Sequence, residues 1–145
     1  MTQEIVNHIS LEDYCKDWEK SPPHFAFKQQ LIQKVAKIAS TLHSNGINHR
    51  DFYLCHFLFC LKNQTLCVID LHRAQLRKKI PMRWVIKDLA GLYFSSKNIG
   101  LTQRDFLRFI IEYRKKPIRD VINMEAAFWQ KVKKRGDKLY QQHEC

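Results

Sequence analysis

The fold of this chain is decided by the stretch NHRDFYLCH, residues 48–56, and by the tripeptide VID, residues 68–70, that follows it. The first stretch places an acid, Asp51, directly after a histidine and an arginine. The second ends in another acid, Asp70, directly after two β-branched residues. Whether these two acids meet in the folded chain depends on the residues that lie between the two stretches.

Two short apolar runs separate the acids, and both are rich in strand-forming residues. They span residues 57–61 and 66–69, and the polar segment 62–65 between them is typical of a turn. This pattern predicts a β-hairpin whose two strands have about equal length. Because the second strand of such a hairpin returns alongside the first, we expect Asp70 to lie beside the loop that carries Asp51.

The arrangement matches the catalytic motifs of kinases, which carry H-R-D-x-x-x-x-N, a short hairpin and then D-F-G. Residues 49–51 supply the first motif, and residues 70–72, Asp-Leu-His, take the place of the second. His56 stands where the motif has asparagine. In phosphoryl transfer one aspartate orients the attacking hydroxyl and another holds the metal that bridges the phosphates. These are the roles we assign to Asp51 and Asp70.

Composition and charge restrict the class of protein. The chain has 145 residues, the usual size of one domain, and 45% of them are apolar. No run of about 18 apolar residues predicts a membrane span, and the first ten residues lack the apolar core of a signal peptide. We therefore expect a cytoplasmic protein. The net charge of +11 predicts a surface that attracts an anion without saying which one.

The five cysteines favour free thiols. Their number is odd, and no C-x-x-C pair is present. This argues against both a disulfide framework and a zinc site.

Hydrophobic periodicity and capping residues predict a mainly helical chain around the hairpin. The last predicted helix begins near Pro117 and continues through Val132, and from Lys133 the charged tail is expected to fray. The other predicted helices span about 11–19, 25–44, 84–94 and 103–114.

Beyond the motifs, three segments resemble the lipopolysaccharide core heptose(I) kinases of Gram-negative bacteria, which have a protein-kinase-like fold. They read INHRDFYLCHFLF, VIDLHRAQLR and KDLAGLYFSSKNIGLTQRD, and the resemblance extends over about residues 10–129. The family transfers the γ-phosphate of ATP to a hydroxyl of the first heptose of the inner core. The resemblance therefore implies ATP and Mg²⁺ as cofactors, the inner-core glycolipid as partner, and a peripheral position at the inner face of the inner membrane.

The resemblance also implies roles for single residues. Asp51 matches the catalytic aspartate and Asp70 the metal aspartate. His49 and Arg50 would be scaffolding of the catalytic loop. For His56 two interpretations stay open, a metal ligand or a histidine that packs the loop, because imidazole is a poor ligand for Mg²⁺.

Three further features lie outside these motifs. By the resemblance, Asp88 matches the buried acid of the central helix that anchors the catalytic loop; from the sequence alone it could also be a solvated helix residue. Trp84 is interpreted as a core residue and not as a sugar platform. A basic segment follows the hairpin, and we expect it to combine a solvated surface with a binding site for the anionic sugars and phosphates of the acceptor; its candidates are Arg73, Arg77, Lys78 and Lys79.

The predicted fold is the large, C-terminal lobe of a protein-kinase-like fold, without the N-terminal lobe. No G-x-G-x-x-G phosphate loop occurs in the sequence. We predict one domain, 1–145, made of a hinge-like strand (1–9), the catalytic loop with hairpin and metal aspartate (46–72) and a helical subdomain (82–132). We expect a truncated kinase with little activity alone, and the missing lobe as a partner.

Two other functions were considered. The first is a non-catalytic module that binds lipopolysaccharide precursors or acts as a regulatory pseudokinase. The second is a basic nucleic-acid binder, for which the sequence offers no helix-turn-helix or RNA-binding signature, so no nucleic acid is expected.

Overall fold

The computed structural model describes residues 8–143, and this part of the chain is mainly helical, as predicted. The predicted hinge-like strand falls largely on residues 1–7, which lie outside the described range. The last two residues of the predicted strand, 8 and 9, belong to the short strand β1 (His8–Ser10). The helices are α1 (Leu11–Cys15), α2 (Phe25–Ser44), α3 (Met82–Ser95), α4 (Gln103–Arg114) and α5 (Ile118–His143).

Two small antiparallel sheets carry the catalytic segment. The first has the order β1 (His8–Ser10), β3 (Phe57–Cys60), β4 (Thr65–Val68). The hairpin β3–β4 has the predicted form, with Phe57 opposite Val68. The second sheet pairs β2 (Ile47–Asn48) with β5 (Gln75–Leu76), and it ties the two ends of the catalytic segment together.

The core lies between the hairpin and the helices. Three phenylalanines of the catalytic loop and hairpin, Phe52, Phe57 and Phe59, are almost completely buried. Helix α2 packs against α4, and α3 packs against α5. Since both sheets are small, the helices provide most of the framework that holds the catalytic loop.

The start of α4 shows how sequence and packing agree. Thr102 and Asp105 form a reciprocal capping box, in which each side chain accepts a hydrogen bond from the other's backbone N–H. The buried Asp105 carboxylate also accepts a bond of 2.6 Å from Lys28 of α2. Burial alone would raise the pKa of Asp105, but the bonds from Lys28 and Thr102 outweigh it and lower the pKa.

The predicted fraying from Lys133 is wrong, because α5 continues to His143. The extra turns are held by contacts with α3 and the segment after it. Asp137 accepts hydrogen bonds from Tyr93 and Lys97, and Tyr140 donates one of 2.7 Å to Asn98. A charged composition suggested a free tail, but these polar partners lie on another element and keep the helix docked.

Two helix boundaries also differ from the prediction. Helix α1 ends at Cys15 and not near residue 19, and α3 begins at Met82, directly after Pro81. The bounds of α2 and α4 are those predicted. Among the described residues, no helix combines the length and the apolar character needed to cross a membrane.

Candidate active site

The catalytic loop begins at a glycine that the fold requires. Gly46 has a φ of 80°, a conformation that favours glycine, and a Cβ there would lie 1.9 Å from the carbonyl oxygen of Arg77. The backbone N–H of Arg77 donates to the Gly46 carbonyl at 2.8 Å. This close approach fixes the entry to the loop against the segment that leaves the hairpin.

Asp88 fastens the loop to helix α3. Its buried carboxylate accepts hydrogen bonds from the backbone N–H groups of His49, at 2.8 Å, and Arg50, at 2.9 Å. A third bond joins it to the Nε2 atom of His43 on α2, at 2.9 Å. The other ring nitrogen of His43 bonds the hydroxyl of Tyr113 on α4 at 2.6 Å. The hydrogen-bond network around Asp88 therefore extends from the loop to three helices. No motif in the sequence pointed to His43 or Tyr113 as part of it.

His49 connects the loop with the end of the hairpin. Its Nδ1 atom accepts a hydrogen bond from the backbone N–H of Asp51, and its Nε2 atom donates to the carbonyl of Ile69 at 2.9 Å. The ring is completely buried. The residue after it, Arg50, has a positive φ of 77°. Strained backbone of this kind persists where the surrounding structure fixes it, and it concentrates at functional sites.

His56 lies between the two acids. Its Nδ1–H donates to the backbone carbonyl of Asp51 at 2.6 Å, and its Nε2 atom is 3.0 Å from Oδ2 of Asp70. Because Nδ1 donates its hydrogen to the Asp51 carbonyl, Nε2 is the ring nitrogen that faces the Asp70 carboxylate. His56 therefore packs the catalytic loop against the end of the hairpin, and its Nε2 atom lies beside the carboxylate proposed to hold the metal.

Asp70 lies at the end of the hairpin with a left-handed backbone, φ 65° and ψ 49°. Its second carboxylate oxygen, Oδ1, contacts Nδ1 of His72 at 2.7 Å. The side chain is 41% exposed, so it can be reached from solvent. Both of its oxygens contact imidazoles that a cation could displace.

The Asp51 carboxylate is less exposed and has a cationic neighbour. Arg73 donates a hydrogen bond of 2.7 Å to its Oδ1 atom. Arg73 belongs to the short 3₁₀ turn Leu71–Arg73 that follows Asp70. Burial, together with the negative charge of Asp51, raises the pKa of the nearby Tyr53 hydroxyl. The structure thus brings Asp51, His56, Asp70 and Arg73 together at one place.

The other candidates of the basic segment divide into two groups. Lys78 and Lys79 are exposed. Arg77 is half-buried, and its guanidinium donates to the side chains of Gln75, at 2.6 Å, and Asn48, at 3.4 Å. Arg77 therefore supports the loop as well as carrying charge.

The surroundings of Trp84 were not predicted from the sequence. This ring is half-buried, it does not belong to the main hydrophobic core, and four cationic side chains lie around it. Their charged groups are 5.4 to 5.9 Å from the ring centroid; they belong to Arg50, Arg77, Arg83 and Lys87. The i, i+3 spacing of Trp84 and Lys87 on α3 was a signal that could have indicated part of this cluster.

The residues present suit a single Mg²⁺ ion held jointly with a nucleotide. The described part of the chain has no group of three or more His, Cys, Asp or Glu side chains arranged for a metal. Mg²⁺ does not need one, since it is commonly bound by one or two carboxylates plus substrate phosphates. The accessible carboxylate of Asp70 meets that requirement.

A separate apolar cavity of about 530 Å³ lies among the helices. It does not include Asp51 or Asp70. Its walls come from α1 to α5 and include Trp18, Leu31, Val35, Leu89, Phe109 and Trp129.

An H-R-D loop anchored by a buried helix acid, followed by a hairpin that returns a second aspartate, defines the large lobe of a protein-kinase-like fold. The chain belongs to the lipopolysaccharide kinase (Kdo/WaaP) family, whose model matches residues 1–113. It is therefore related to enzymes.

Curated relatives and a solved structure agree with this membership. The chain is 50% identical over 131 residues to the lipopolysaccharide core heptose(I) kinase WaaP of Escherichia coli strain K12, covering 86% of this chain and 49% of that protein. It is 42% identical over 147 residues to WaaP of Pseudomonas aeruginosa, covering 97% of this chain and 55% of that protein. A structure of WaaP in complex with acyl carrier protein matches 92% of this chain, with a TM-score of 0.85 and 42% identity, and 58% of its own chain is covered. The chain thus spans about half the length of these relatives.

Proposed function

We propose that this chain carries the catalytic loop and metal aspartate of a kinase that phosphorylates a heptose hydroxyl of the lipopolysaccharide inner core, with ATP as phosphate donor. The observation that carries the proposal is the single imidazole, His56, that joins the Asp51 loop to the Asp70 carboxylate. Phosphoryl transfer requires two such acids at a fixed separation, because catalysis rests on positioning and on charge stabilisation.

Asp51 is the residue that receives the acceptor hydroxyl. Among the described residues, the hydrogen bonds to its carboxylate come from Arg73 on Oδ1. The Oδ2 atom is then the acceptor for the heptose hydroxyl, which Asp51 orients and whose proton it takes late in the reaction. Arg73 holds the carboxylate in one orientation while this happens.

Asp70 is the residue that would hold Mg²⁺ with the nucleotide phosphates. When bound, the ion would supply positive charge that neutralises the charge developing on the transferred group. His56 and His72 position the carboxylate until then.

The basic segment is proposed to face the acceptor and the membrane. Lys78 and Lys79 are exposed, and the same segment exposes Leu76 to 79% and Met82 to 59%. Apolar side chains next to lysines suit the surface of an anionic membrane, where the lysines meet headgroups and the apolar groups enter the interface. We propose a cytoplasmic protein with a peripheral contact of this kind at the inner membrane.

Calorimetric titration of the purified chain with Mg·ATP tests the nucleotide part of the proposal. We expect binding that disappears in Asp70→Ala and persists in Asp17→Ala, a matched change of an exposed aspartate. Binding that persists equally in Asp70→Ala would contradict the role of Asp70.

Turnover is tested in a fusion that joins this chain to the part of the E. coli K12 relative that it does not span. We expect phosphorylation of an inner-core acceptor by the fusion and little by the 145-residue chain alone, because the sequence has no G-x-G-x-x-G loop to clamp the phosphates. Robust turnover by the isolated chain would overturn that expectation.

The histidine at position 56, where the kinase motif has asparagine, favours a second candidate, a non-catalytic module that binds lipopolysaccharide precursors or regulates a partner. The two candidates differ in a simple way. The module predicts that an inner-core acceptor binds the isolated chain and that the fusion shows no turnover. The kinase predicts turnover by the fusion that Asp51→Asn lowers by about 10²- to 10⁴-fold.

The solved relative is in complex with acyl carrier protein, and this complex is the basis for proposing a protein partner of the present chain. We propose that this chain also binds an acyl carrier protein and accepts the acyl group in the cavity of about 530 Å³. Size-exclusion chromatography with acylated and unacylated carrier protein tests this. We expect co-elution with the acylated form, weakened by Ala126→Phe, which fills the cavity. Equal behaviour of the two carrier forms would contradict it.

A further inference from the structure

Four cations surround the ring of Trp84 without an acid to pair with them. No carboxylate of the described residues lies within 4 Å of the charged groups of Arg50, Arg77, Arg83 or Lys87. By contrast, Arg73, Arg108 and Arg114 each have such a partner. An aromatic ring attracts cations to its two faces, but four cations at this distance also repel one another. Attraction to the ring alone does not explain the cluster.

The same neighbourhood contains hydrogen-bond donors that are buried and unsatisfied. They are Nε of Arg50, Nε1 of Trp84 and Nδ2 of Asn48. Buried donors normally find an acceptor, which can be an ordered water or a bound ion as well as a protein group. An anion with several oxygen atoms would supply both the negative charge and the acceptors.

The cluster lies next to the reacting groups. Arg50 directly precedes Asp51 in the loop. Lys87 directly precedes Asp88, the acid that anchors the loop. Burial lowers the pKa of Lys87, and the positive charges of Arg73, Arg50 and Arg135 lower it further. Lys87 is thus close enough to the catalytic segment to interact electrostatically with its charged side chains.

We propose that the Trp84 cluster is a subsite for an anionic group of the acceptor, a sugar carboxylate or a sugar phosphate, adjacent to the hydroxyl that is phosphorylated. This inference rests on the proposed function and adds a recognition element to it. The sugar ring stacks on Trp84, and the cations bind its charged substituent. The exposed residues Lys78 and Lys79 are not part of the subsite, which distinguishes it from a general attraction of the basic segment for anions.

The test is ¹⁹F NMR of the full 145-residue chain labelled with 5-fluorotryptophan. The chain has three tryptophans, so Trp84→Phe assigns the Trp84 resonance by its loss. Trp18 and Trp129 belong to or pack on the core, and their resonances report whether each variant remains folded. The probes are glucuronate, glucose 1-phosphate and neutral glucose.

We expect a saturable shift of the Trp84 resonance with glucuronate, glucose 1-phosphate or both, and none with glucose. The sugar that binds more tightly identifies the substituent as a carboxylate or a phosphate. Lys87→Met should weaken binding about tenfold, because a charge-assisted hydrogen bond is lost, whereas Lys62→Met, at an exposed position in the hairpin turn, should leave it unchanged. No saturable shift, an equal response to glucose, or equal effects of Lys87→Met and Lys62→Met would each overturn the proposal.

Titration with Mg·ATP distinguishes a failure of the proposed subsite from a failure of the proposed kinase function. Displacement of the sugar by Mg·ATP alone would assign the cluster to the nucleotide and overturn the subsite. If Mg·ATP binds through Asp70 but no anionic sugar affects Trp84, the subsite fails and the proposed kinase role stands. If the sugars bind and Mg·ATP does not, the subsite stands and the kinase role is weakened.

Discussion

Arg73 donates a hydrogen bond of 2.7 Å to the Oδ1 atom of Asp51, although the two residues lie on opposite sides of the hairpin. The pair adds a second connection between the catalytic loop and the segment after Asp70, beside the one through His56. The backbone of Asp51 is bonded by His56, and its carboxylate is bonded by Arg73. Position and orientation of the acid are therefore fixed by different residues.

Substitutions of Asp51 and Arg73 should distinguish the loss of the catalytic base from the loss of its orientation. In the fusion enzyme, Asp51→Asn should lower kcat by about 10²- to 10⁴-fold, the usual contribution of general base catalysis. Arg73→Ala should lower kcat by a smaller factor, because the base remains but its orientation is lost, and Arg73→Lys should recover part of the loss. Arg119→Ala, at an exposed position of α5, serves as control. A loss in Arg73→Ala as large as that in Asp51→Asn would count against this division of roles.

Asp88→Asn should destabilise the chain by about 1–3 kcal/mol, because the new amide cannot accept all three hydrogen bonds that the buried carboxylate accepts. Urea unfolding at neutral pH measures the change. Asp17→Asn, at an exposed position, should leave the free energy of unfolding nearly unchanged. Equal midpoints for the two variants would show that the anchor contributes nothing to stability.

Gly46→Ala should destabilise the chain by about 2–4 kcal/mol. The left-handed backbone costs about 1–2 kcal/mol with a side chain, and the overlap of a Cβ with the Arg77 carbonyl forces a backbone shift. Gly100→Ala is a matched control with a similar φ of 74°, where the nearest atom would be 3.0 Å away. The two thermal melts should therefore differ, with Gly46→Ala the lower; similar melting temperatures would contradict the close approach at Gly46.

Asp105 should make stability depend on pH at the acidic end. Its pKa is lowered from 3.8 in the folded state, so its contribution is complete above that value and is lost as the pH falls through the lower, folded-state pKa. Asp105→Asn removes this proton uptake and should flatten the loss of stability in this range, while Asp17→Asn keeps the slope. Unfolding midpoints measured from pH 7 downward test this, and identical slopes in all three proteins would refute it.

Local signals in the sequence predict much of the fold. Thr102 with Asp105 marks the start of α4, and Asn45-Gly46 marks the end of α2, because capping and left-handed turns depend on residues close in the chain. The hairpin was predictable for the same reason. The extent of α5 was not, since its last turns depend on Tyr93 and Lys97, which belong to a different part of the chain.

For the site, the sequence indicated which acids come together but not how they are held. The contacts of His56 with both acids and the pairing of Arg73 depend on side-chain rotamers and on the left-handed backbone at Asp70, which no local pattern specifies. The Trp84 cluster gathers cations from the loop, from the segment after the hairpin and from α3, so it becomes visible only once these three are packed together.

Trp84 and Asp88 are four residues apart on α3, which is about one helical turn. The ring and the acid that anchors the loop therefore share one face of one helix. A single inserted or deleted residue between them would rotate the ring about 100° around the helix axis relative to the carboxylate. Substitutions near Trp84 can change which group the ring binds. An insertion or deletion between Trp84 and Asp88 would instead move the ring away from the catalytic loop. We therefore expect this segment of α3 to tolerate substitutions but not insertions or deletions.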